Sequence, residues 1–139
     1  MENEDEEKEY MIEDAEANSD NKEFMLQAIK DKSPWVIRYA SDRLHDDKDL
    51  MMTAVKCDGQ ELYYASKRLR NDKELVMEAI KNKPLIVKYA SKKLRGDKDI
   101  AKTVLLQNKD KFKIYLTDEI LNDPEIKEII EGDKKDEEN

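Results

Sequence analysis

A repeat of 25 residues constrains this chain more than any other feature of its sequence. The tripeptide Y-A-S, followed by two charged residues and a leucine, begins at Tyr39, Tyr64 and Tyr89, with a spacing of 25 both times. A divergent fourth copy begins at Tyr115, 26 residues further on. Self-similarity at this period is typical of chains in which small supersecondary units stack on one another and share a continuous core.

The first part of each unit is predicted to be a short helix. Each helix is expected to begin after a small polar residue whose side chain can accept hydrogen bonds from the free amides of a first helical turn. These residues are Asn21, Asp47, Asp72, Asp97 and Asp123. Apolar residues then follow in adjacent pairs four positions apart, as in the sequence L-M-M-T-A-V. This spacing predicts one continuous apolar face on a helix.

The second part of each unit is also predicted to be a helix, with buried residues at positions i, i+3 and i+7. In the second unit these are Leu62, Ala65 and Leu69. Pro34 and Pro84 suit the first turn of such a helix, and Gly59 suits a left-handed residue that ends the helix before it. Helices of about ten residues are marginal alone, whereas stacked pairs cover each other's apolar faces. The predicted fold class is therefore all-α, a short α-solenoid of about four two-helix repeats.

Charge divides the chain into three parts. Of the 139 residues 43% are charged, and the formal net charge is −8. Residues 1–19 carry nine acidic side chains and one lysine, and residues 131–139 carry five acidic side chains and two lysines. Such blocks rarely bury enough apolar surface to become ordered. We therefore expect disordered acidic tails on both sides of a helical domain at 20–130, with a short docking helix around Met11 and Ala15 as the alternative for the first tail.

The repeated residues also resemble a known family. The string D-D-K-D-L-M-M-T-A-V-K-C-D-G-Q-E-L-Y-Y-A-S-K-R-L-R-N-D-K-E-L, which begins at Asp46, looks like the repeat of Domain of Unknown Function 4116, a short helical module found in tandem. The residues that carry this match are Asp47, Lys48, Ala54, Val55, Gly59, Ala65, Leu69, Asp72 and Lys73. The resemblance covers 20–107 well and the fourth copy weakly. It implies an all-α array and brings no activity, ligand or catalytic residue.

Reactive side chains are sparse, so we expect no enzymatic activity. His45 is the only histidine and Cys57 the only cysteine, and they lie in different units. A single cysteine excludes an internal disulfide and any multi-cysteine zinc site. The acidic residues between Asp46 and Asp58 lack the spacing of a calcium-binding loop, and three glycines in the whole chain leave no phosphate-binding loop. No cofactor and no metal site are predicted.

Basic residues recur at equivalent positions of successive units. Because stacked units bring equivalent positions into register, these residues are expected to form a basic ridge along one edge of the array. Its members are Arg43, Lys67, Arg68, Arg70, Lys92, Lys93 and Arg95, with His45 at the position of Arg70 and Arg95. Cations near helix C-termini contribute about 0.3 to 1 kcal/mol without any partner. The basic ridge is therefore either a structural feature or a binding site for an anionic partner.

Tyr63 is the second candidate for a binding residue. Its equivalents in the other units are Arg38, Lys88 and Ile114, which indicates an exposed face, and an exposed tyrosine can anchor a partner. We expect a non-enzymatic protein-interaction module that binds another protein or an acidic peptide through the basic ridge and Tyr63. The alternative is a nucleic-acid-directed protein, which binds through the basic ridge or mimics nucleic acid with its acidic tails.

The sequence favours a cytoplasmic protein without membrane contact. No apolar run reaches the roughly 18 residues that a membrane-spanning helix needs. The first residues, M-E-N-E-D-E-E-K-E, are too acidic for a targeting peptide. A lone cysteine fits a reducing compartment.

Overall fold

The computed structural model describes residues 4–137 of the chain, and it describes the side chains of residues 11–132. Its α-helices are α1 (Glu4–Ala17), α2 (Lys22–Lys30), α3 (Asp42–His45), α4 (Lys48–Cys57), α5 (Lys73–Asn82), α6 (Lys92–Arg95), α7 (Lys98–Phe112), α8 (Asp118–Leu121) and α9 (Pro124–Glu137). Segments of 3-10 helix lie between them at Pro34–Tyr39, Gly59–Tyr64, Leu69–Asn71, Pro84–Tyr89 and Lys113–Tyr115. Over residues 4–137 every regular element is helical, which confirms the all-α repeat fold. Within the same range no helix combines the length and the apolar character that a membrane crossing requires.

The helix starts predicted from small polar residues are confirmed. Asn21, Asp47 and Asp72 each accept a hydrogen bond from the amide three residues further on. Asp97 and Asp123 do the same at the starts of α7 and α9. Each such cap satisfies an amide that has no partner in the helix and contributes about 1 kcal/mol. The paired apolar residues of α4 and α5 are fully buried, so the predicted apolar face is also correct.

The second part of each unit is not the single helix that the spacing predicts. In the first unit it begins as the 3-10 helix Pro34–Tyr39, becomes extended at Ala40 with ψ 154°, and resumes as the short helix α3. Ser41 causes this break, because its hydroxyl oxygen accepts a hydrogen bond from the Leu44 amide at 3.3 Å and so caps a new turn. The residues predicted to be buried are buried nevertheless, namely Leu62, Ala65 and Leu69 in the second unit.

Gly59 does not have the left-handed conformation predicted for it, since no glycine in the described part of the chain has a positive φ. A glycine is needed there because the third unit approaches closely. A Cβ on residue 59 would lie 2.4 Å from the carbonyl oxygen of Ala79. The Gly59 amide donates a hydrogen bond to Asn82 Oδ1 at 2.7 Å, and an ion pair of 2.8 Å joins Asp58 to Lys83 beside it.

A ladder of lysines connects successive units and explains the periodic D-K dipeptide. The first residue of α2, α4, α5 and α7 is a lysine whose Nζ lies 2.8 to 3.2 Å from the helix-capping aspartate of the next unit. The pairs are Lys22–Asp47, Lys48–Asp72, Lys73–Asp97 and Lys98–Asp123. Each exposed pair contributes only about 0 to 1 kcal/mol. The ladder therefore fixes the register of the stack more than it stabilises the fold.

The N-terminal segment is helical over Glu4–Ala17, where its charge predicts disorder. Ala15 is fully buried and Met11 packs against the core, four residues apart on one face of α1. These few apolar residues suffice because α1 covers the otherwise open N-terminal end of the array at Pro34–Tyr39. The structure thus has the docking helix that we considered as the alternative.

The C-terminal segment is also helical beyond the predicted domain limit at residue 130. The helix α9 continues to Glu137, and its Ile126 is fully buried. It packs on α7 and so covers the other end of the array. The parts of the two predicted tails at 1–3 and 138–139 lie outside the described residues.

Candidate functional site

Two arginines of the basic ridge are bound to the preceding unit. The Nε atom of Arg43 lies 2.8 Å from Asp20 Oδ1, and its Nη2 donates to the Asp20 carbonyl oxygen at 3.0 Å. Arg68 repeats this arrangement on Asp46, with distances of 2.8 and 2.7 Å. A serine hydroxyl of the same unit donates to each of the two aspartates, at 2.7 and 2.6 Å. We call this arrangement the acid–arginine staple.

The carboxyl group of Asp46 in the second acid–arginine staple is ionised at neutral pH. The hydroxyl of Ser66, and after it the guanidinium of Arg68, donate hydrogen bonds to Asp46 and hold the pKa of that carboxyl below its usual range. The side chains of Asp46 and Arg68 remain about half exposed. Arg43 and Arg68 therefore connect successive units, although both side chains remain accessible to solvent.

Three further positions of the basic ridge lie closer to the core than the sequence suggests. His45 Nε2 lies 2.6 Å from the carbonyl oxygen of Ile37. Arg95 donates to the carbonyl oxygens of Ala90 and Tyr115, both at 3.3 Å. Arg70 is half-buried, and its buried Nε has no hydrogen-bond partner among the described residues. His45 and Arg95 thus contact the backbone and Arg70 is half-buried, so the structure does not place all members of the basic ridge in one exposed row.

The remaining members of the basic ridge are exposed lysines. Lys67, Lys92 and Lys93 face solvent and make no ion pair with any described residue. Lys67 and Lys92 occupy equivalent positions in the second and third units, directly after the serine that caps the following turn. The part of the basic ridge that is available to an anionic partner is therefore centred on these lysines.

Tyr63 is exposed, as predicted, and it lies between two other tyrosine rings. Its side chain is 49% exposed, whereas the other tyrosines among residues 11–132 are partly buried. Its ring makes edge-to-face contacts with the rings of Tyr64 and Tyr89, at centroid distances of 5.0 and 4.8 Å. Edge-to-face aromatic pairs contribute about 0.5 to 1.5 kcal/mol beyond their buried area. The exposed ring is thus restrained by its two neighbours.

Two cations flank this cluster. The guanidinium carbon of Arg38 lies 5.8 Å from the centroid of the Tyr64 ring, and Lys88 Nζ lies 5.0 Å from that of Tyr89. Both side chains are exposed and, within the described part of the chain, neither is in an ion pair. We call Arg38, Tyr63 and Lys88 the tyrosine face. Tyr64, which contacts Tyr63, also makes a tilted ring contact with His45 at a centroid distance of 6.2 Å.

The sequence reasoning did not select Arg38 and Lys88 as binding residues. They appeared there only as the equivalents of Tyr63 in the neighbouring units. Their positions in the repeat could have identified them, because equivalent positions of adjacent units are neighbours in a stacked array. The tyrosine face is therefore a stripe of one cation, one aromatic ring and one cation along the array.

Glu61 is an acidic residue in a core position that the sequence reasoning overlooked. Its equivalents are Val36 and Ile86, which are buried, and Glu61 itself is only 2% exposed. Its Oε2 atom has no hydrogen-bond partner among the described residues. Burial, with a smaller contribution from the charge of Asp58, raises the pKa of Glu61 to about 7, and Arg38 and Lys83 partly oppose this rise. Glu61 lies two residues before Tyr63 and interacts electrostatically with Arg38 of the tyrosine face.

The described residues were also compared with the requirements of a metal site. Among residues 4–137 there is no group of three or more histidine, cysteine or carboxylate side chains arranged to hold a metal ion. Cys57 is exposed at the end of α4. The chemistry that the tyrosine face and the exposed lysines offer is recognition of negative charge together with aromatic contact.

Comparison with known protein families agrees with this architecture. The pattern described as "Domain of unknown function (DUF4116)" matches the chain three times, over residues 21–70, 47–95 and 72–114. The chain belongs to this family. The matches begin at Asn21, Asp47 and Asp72, which are the caps of α2, α4 and α5. Each match spans about two units of 25 residues, and successive matches are displaced by one unit.

Neither a curated protein nor a solved structure matches this chain. The family description carries no activity. The functional conclusion therefore rests on the geometry of the tyrosine face and the basic ridge.

Proposed function

We propose that this protein is a non-enzymatic protein-interaction module whose tyrosine face and exposed lysines bind an acidic segment of another protein. The observation that carries the proposal is the half-exposed ring of Tyr63, fixed between two other tyrosine rings and flanked by Arg38 and Lys88. Tyrosine and arginine are enriched among the residues that dominate binding energy at protein interfaces.

Preorganisation supports this proposal. A side chain that is immobilised on binding costs about 0.5 to 1.5 kcal/mol. The ring of Tyr63 is already restrained by its contacts with Tyr64 and Tyr89, so most of this cost falls on folding instead. Arg38 and Lys88 lie over aromatic rings, which restrains them in the same way.

Charge supports an acidic partner in particular. Lys67, Lys88 and Lys92 are exposed and have no ion pair within the described part of the chain. Arg38 has no ion pair there either, although it interacts at longer range with Asp58 and Glu61. Most other cations that connect units, such as those of the lysine ladder, are already paired. The formal net charge of −8 opposes long-range association with any polyanion, so the attraction for an acidic segment is local to these cations.

The experiment is a quantitative capture of partners by the intact chain and by matched variants. The test variants are Tyr63→Ala and the pair Lys67→Glu with Lys92→Glu. The matched control is Lys30→Glu with Lys56→Glu, which makes the same charge change at exposed positions of α2 and α4. We expect captured proteins to be lost with both test variants and kept with the control, and to remain after nuclease treatment.

Two outcomes would refute the proposal. Equal capture by the wild type and both test variants would show that neither the tyrosine face nor the lysines bind the partner. Loss of capture after nuclease treatment would favour the nucleic-acid-directed alternative. Circular dichroism of each variant establishes beforehand that the helical fold is intact.

A further inference from the structure

The acid–arginine staple is lost progressively along the array. It is complete in the first two units, as Asp20–Arg43 and Asp46–Arg68. In the third unit Asn71 and Lys93 stand at these positions. The serine bond persists there, from Ser91 Oγ to Asn71 Oδ1 at 2.6 Å, but no ion pair forms among the described residues.

In the fourth unit both partners of the staple are absent. Gly96 replaces the acid and Glu119 replaces the arginine. The backbone bond of this junction remains, from the Thr117 amide to the Arg95 carbonyl oxygen at 3.2 Å. The two units are therefore still stacked in the same register, without the side chains that fill this edge in the earlier units.

A groove of about 930 Å³ lies where the staple is missing. This volume is within the range of roughly 300 to 1,000 Å³ that is usual for ligand sites. Lys92 and Lys93 line the groove together with Asp118 and Glu119. All four side chains are exposed, and within the described range none of them is in an ion pair. Arg95 also lines the groove, but its guanidinium donates to the carbonyl oxygens of Ala90 and Tyr115. The lining also includes Leu116 and Ile120, which are buried.

The groove also retains the backbone and hydroxyl groups that the staple uses in the earlier units. The carbonyl oxygen of Gly96 corresponds to that of Asp46, which accepts from Arg68 at 2.7 Å. The hydroxyl of Thr117 corresponds to that of Ser66, which donates to Asp46 at 2.6 Å. Within the described residues, no side chain donates to the Gly96 carbonyl oxygen and no acceptor receives the Thr117 hydroxyl hydrogen.

The chain does not fill this site with its own side chain at residue 96. A Cβ atom there would lie 2.9 Å from Thr117 Oγ1, which is closer than such atoms approach without a shift. What the groove lacks is a carboxylate for the Thr117 hydroxyl and the Lys93 ammonium, and a guanidinium for the Gly96 carbonyl and the Glu119 carboxylate.

We propose that this groove binds a partner peptide segment that carries an acidic residue next to an arginine, so that the partner supplies the missing acid–arginine staple. The arginine of the partner pairs with Glu119 and the Gly96 carbonyl oxygen. The acidic residue of the partner pairs with Lys93 and the Thr117 hydroxyl. Charge-assisted hydrogen bonds of this kind are about twice as strong as neutral ones, and a planar guanidinium suits two acceptors at once.

The experiment is an NMR titration of the intact, ¹⁵N-labelled chain with the capped tetrapeptide Ac-Ala-Asp-Arg-Ala-NH₂. We expect saturable amide shifts at Gly96, Thr117 and Glu119, with a dissociation constant of about 1 mM or lower. Replacing the aspartate of the peptide by asparagine, or its arginine by glutamine, is expected to weaken binding by about fivefold each.

Variants of the protein test the same contacts. Glu119→Gln and Lys93→Gln are each expected to weaken binding by about fivefold, whereas Glu128→Gln in α9 leaves it unchanged. The triple variant Gly96→Asp, Thr117→Ser, Glu119→Arg rebuilds the second-unit staple within the chain and is expected to abolish binding. If the triple variant does not fold, the two single variants decide.

The proposal is overturned if no saturable shifts occur, if the shifts lie away from the groove, or if Glu119→Gln binds the tetrapeptide as tightly as the wild type does. The result is separable from the role of the tyrosine face. Tyr63→Ala is expected to leave tetrapeptide binding unchanged, and Glu119→Gln is expected to leave the binding of acidic partners to the tyrosine face unaffected.

Discussion

Replacing Glu61 by glutamine is expected to remove most of the pH dependence of stability between roughly pH 5 and pH 8. Glu61 is buried where the neighbouring units have Val36 and Ile86. The charged groups that face it are Asp58 from its own unit, Arg38 from the preceding unit and Lys83 from the following one. Ionisation of Glu61 therefore places a charge in the core without a hydrogen-bond partner among the described residues.

The sign and size of the effect follow from the pKa. Burial raises the pKa of Glu61 from 4.5 to about 7 in the folded state. Between these two values the folded state binds more protons than the unfolded state, so the free energy of unfolding falls as the pH rises. At about 1.36 kcal/mol for each pH unit the full difference is about 3.4 kcal/mol. Solvent screening near Arg38 and Lys83 reduces this, and we expect a loss of about 2 kcal/mol from pH 5 to pH 8.

The assay is urea unfolding followed by circular dichroism at pH 5 and pH 8. The wild type is expected to lose stability over this interval, and Glu61→Gln is expected to lose much less. Glu61→Val, which restores the residue type of the first unit, is expected to be the most stable variant, with its largest gain at pH 8. Glu128→Gln serves as the control, because Glu128 is exposed and makes no ion pair with a described residue. Parallel pH profiles for the wild type and Glu61→Gln would refute the reasoning.

Gly59→Ala is expected to lower the free energy of unfolding by about 1 to 3 kcal/mol, because its Cβ would lie 2.4 Å from a carbonyl oxygen of the third unit. An unchanged urea midpoint would show that the two units separate easily. Ala65→Leu is expected to lower the melting temperature by more than Ala17→Leu, since residue 65 is 5% exposed and residue 17 is exposed in α1. Equal melting temperatures would contradict the position assigned to residue 65. Arg68→Gln is expected to lower the melting temperature more in low salt than in 1 M salt, whereas Lys67→Gln is not; the same salt response for both would argue against the acid–arginine staple.

Local signals in the sequence sufficed for the first helix of each unit. The capping aspartates and the paired apolar residues act within one helix, so their spacing along the chain determines their role. The second part of each unit was predicted less well, because Ser41 and its equivalents lie inside an apparently helical pattern. Their hydroxyl groups cap a new turn there instead of letting the helix continue. The spacing of apolar residues is the same in both cases, so it does not reveal the break.

The sequence predicted which residues lie at the contacts between units, but not which residues they pair with. The register of the repeats placed Arg43 and Arg68 along one edge, yet their acidic partners lie 23 and 22 residues away in the preceding unit. The same holds for Tyr63, whose exposure was predicted, whereas its contacts with Tyr89 and the flanking cations depend on how two units stack. Glu61 was readable in principle, since an acid at a position shared with Val36 and Ile86 signals a buried charge.

The most direct test of the proposed interaction is an NMR titration of the intact, ¹⁵N-labelled chain with a peptide of about ten glutamates at low salt and at high salt. The account predicts that amide shifts concentrate at Arg38, Tyr63 and Lys88 and at the exposed lysines Lys67 and Lys92. These shifts are expected to shrink at 1 M salt, where the Debye length is about 3 Å, and in the Tyr63→Ala variant. Shifts that are absent at low salt, or that fall on other faces of the array, would contradict the claim that the tyrosine face binds acidic protein segments.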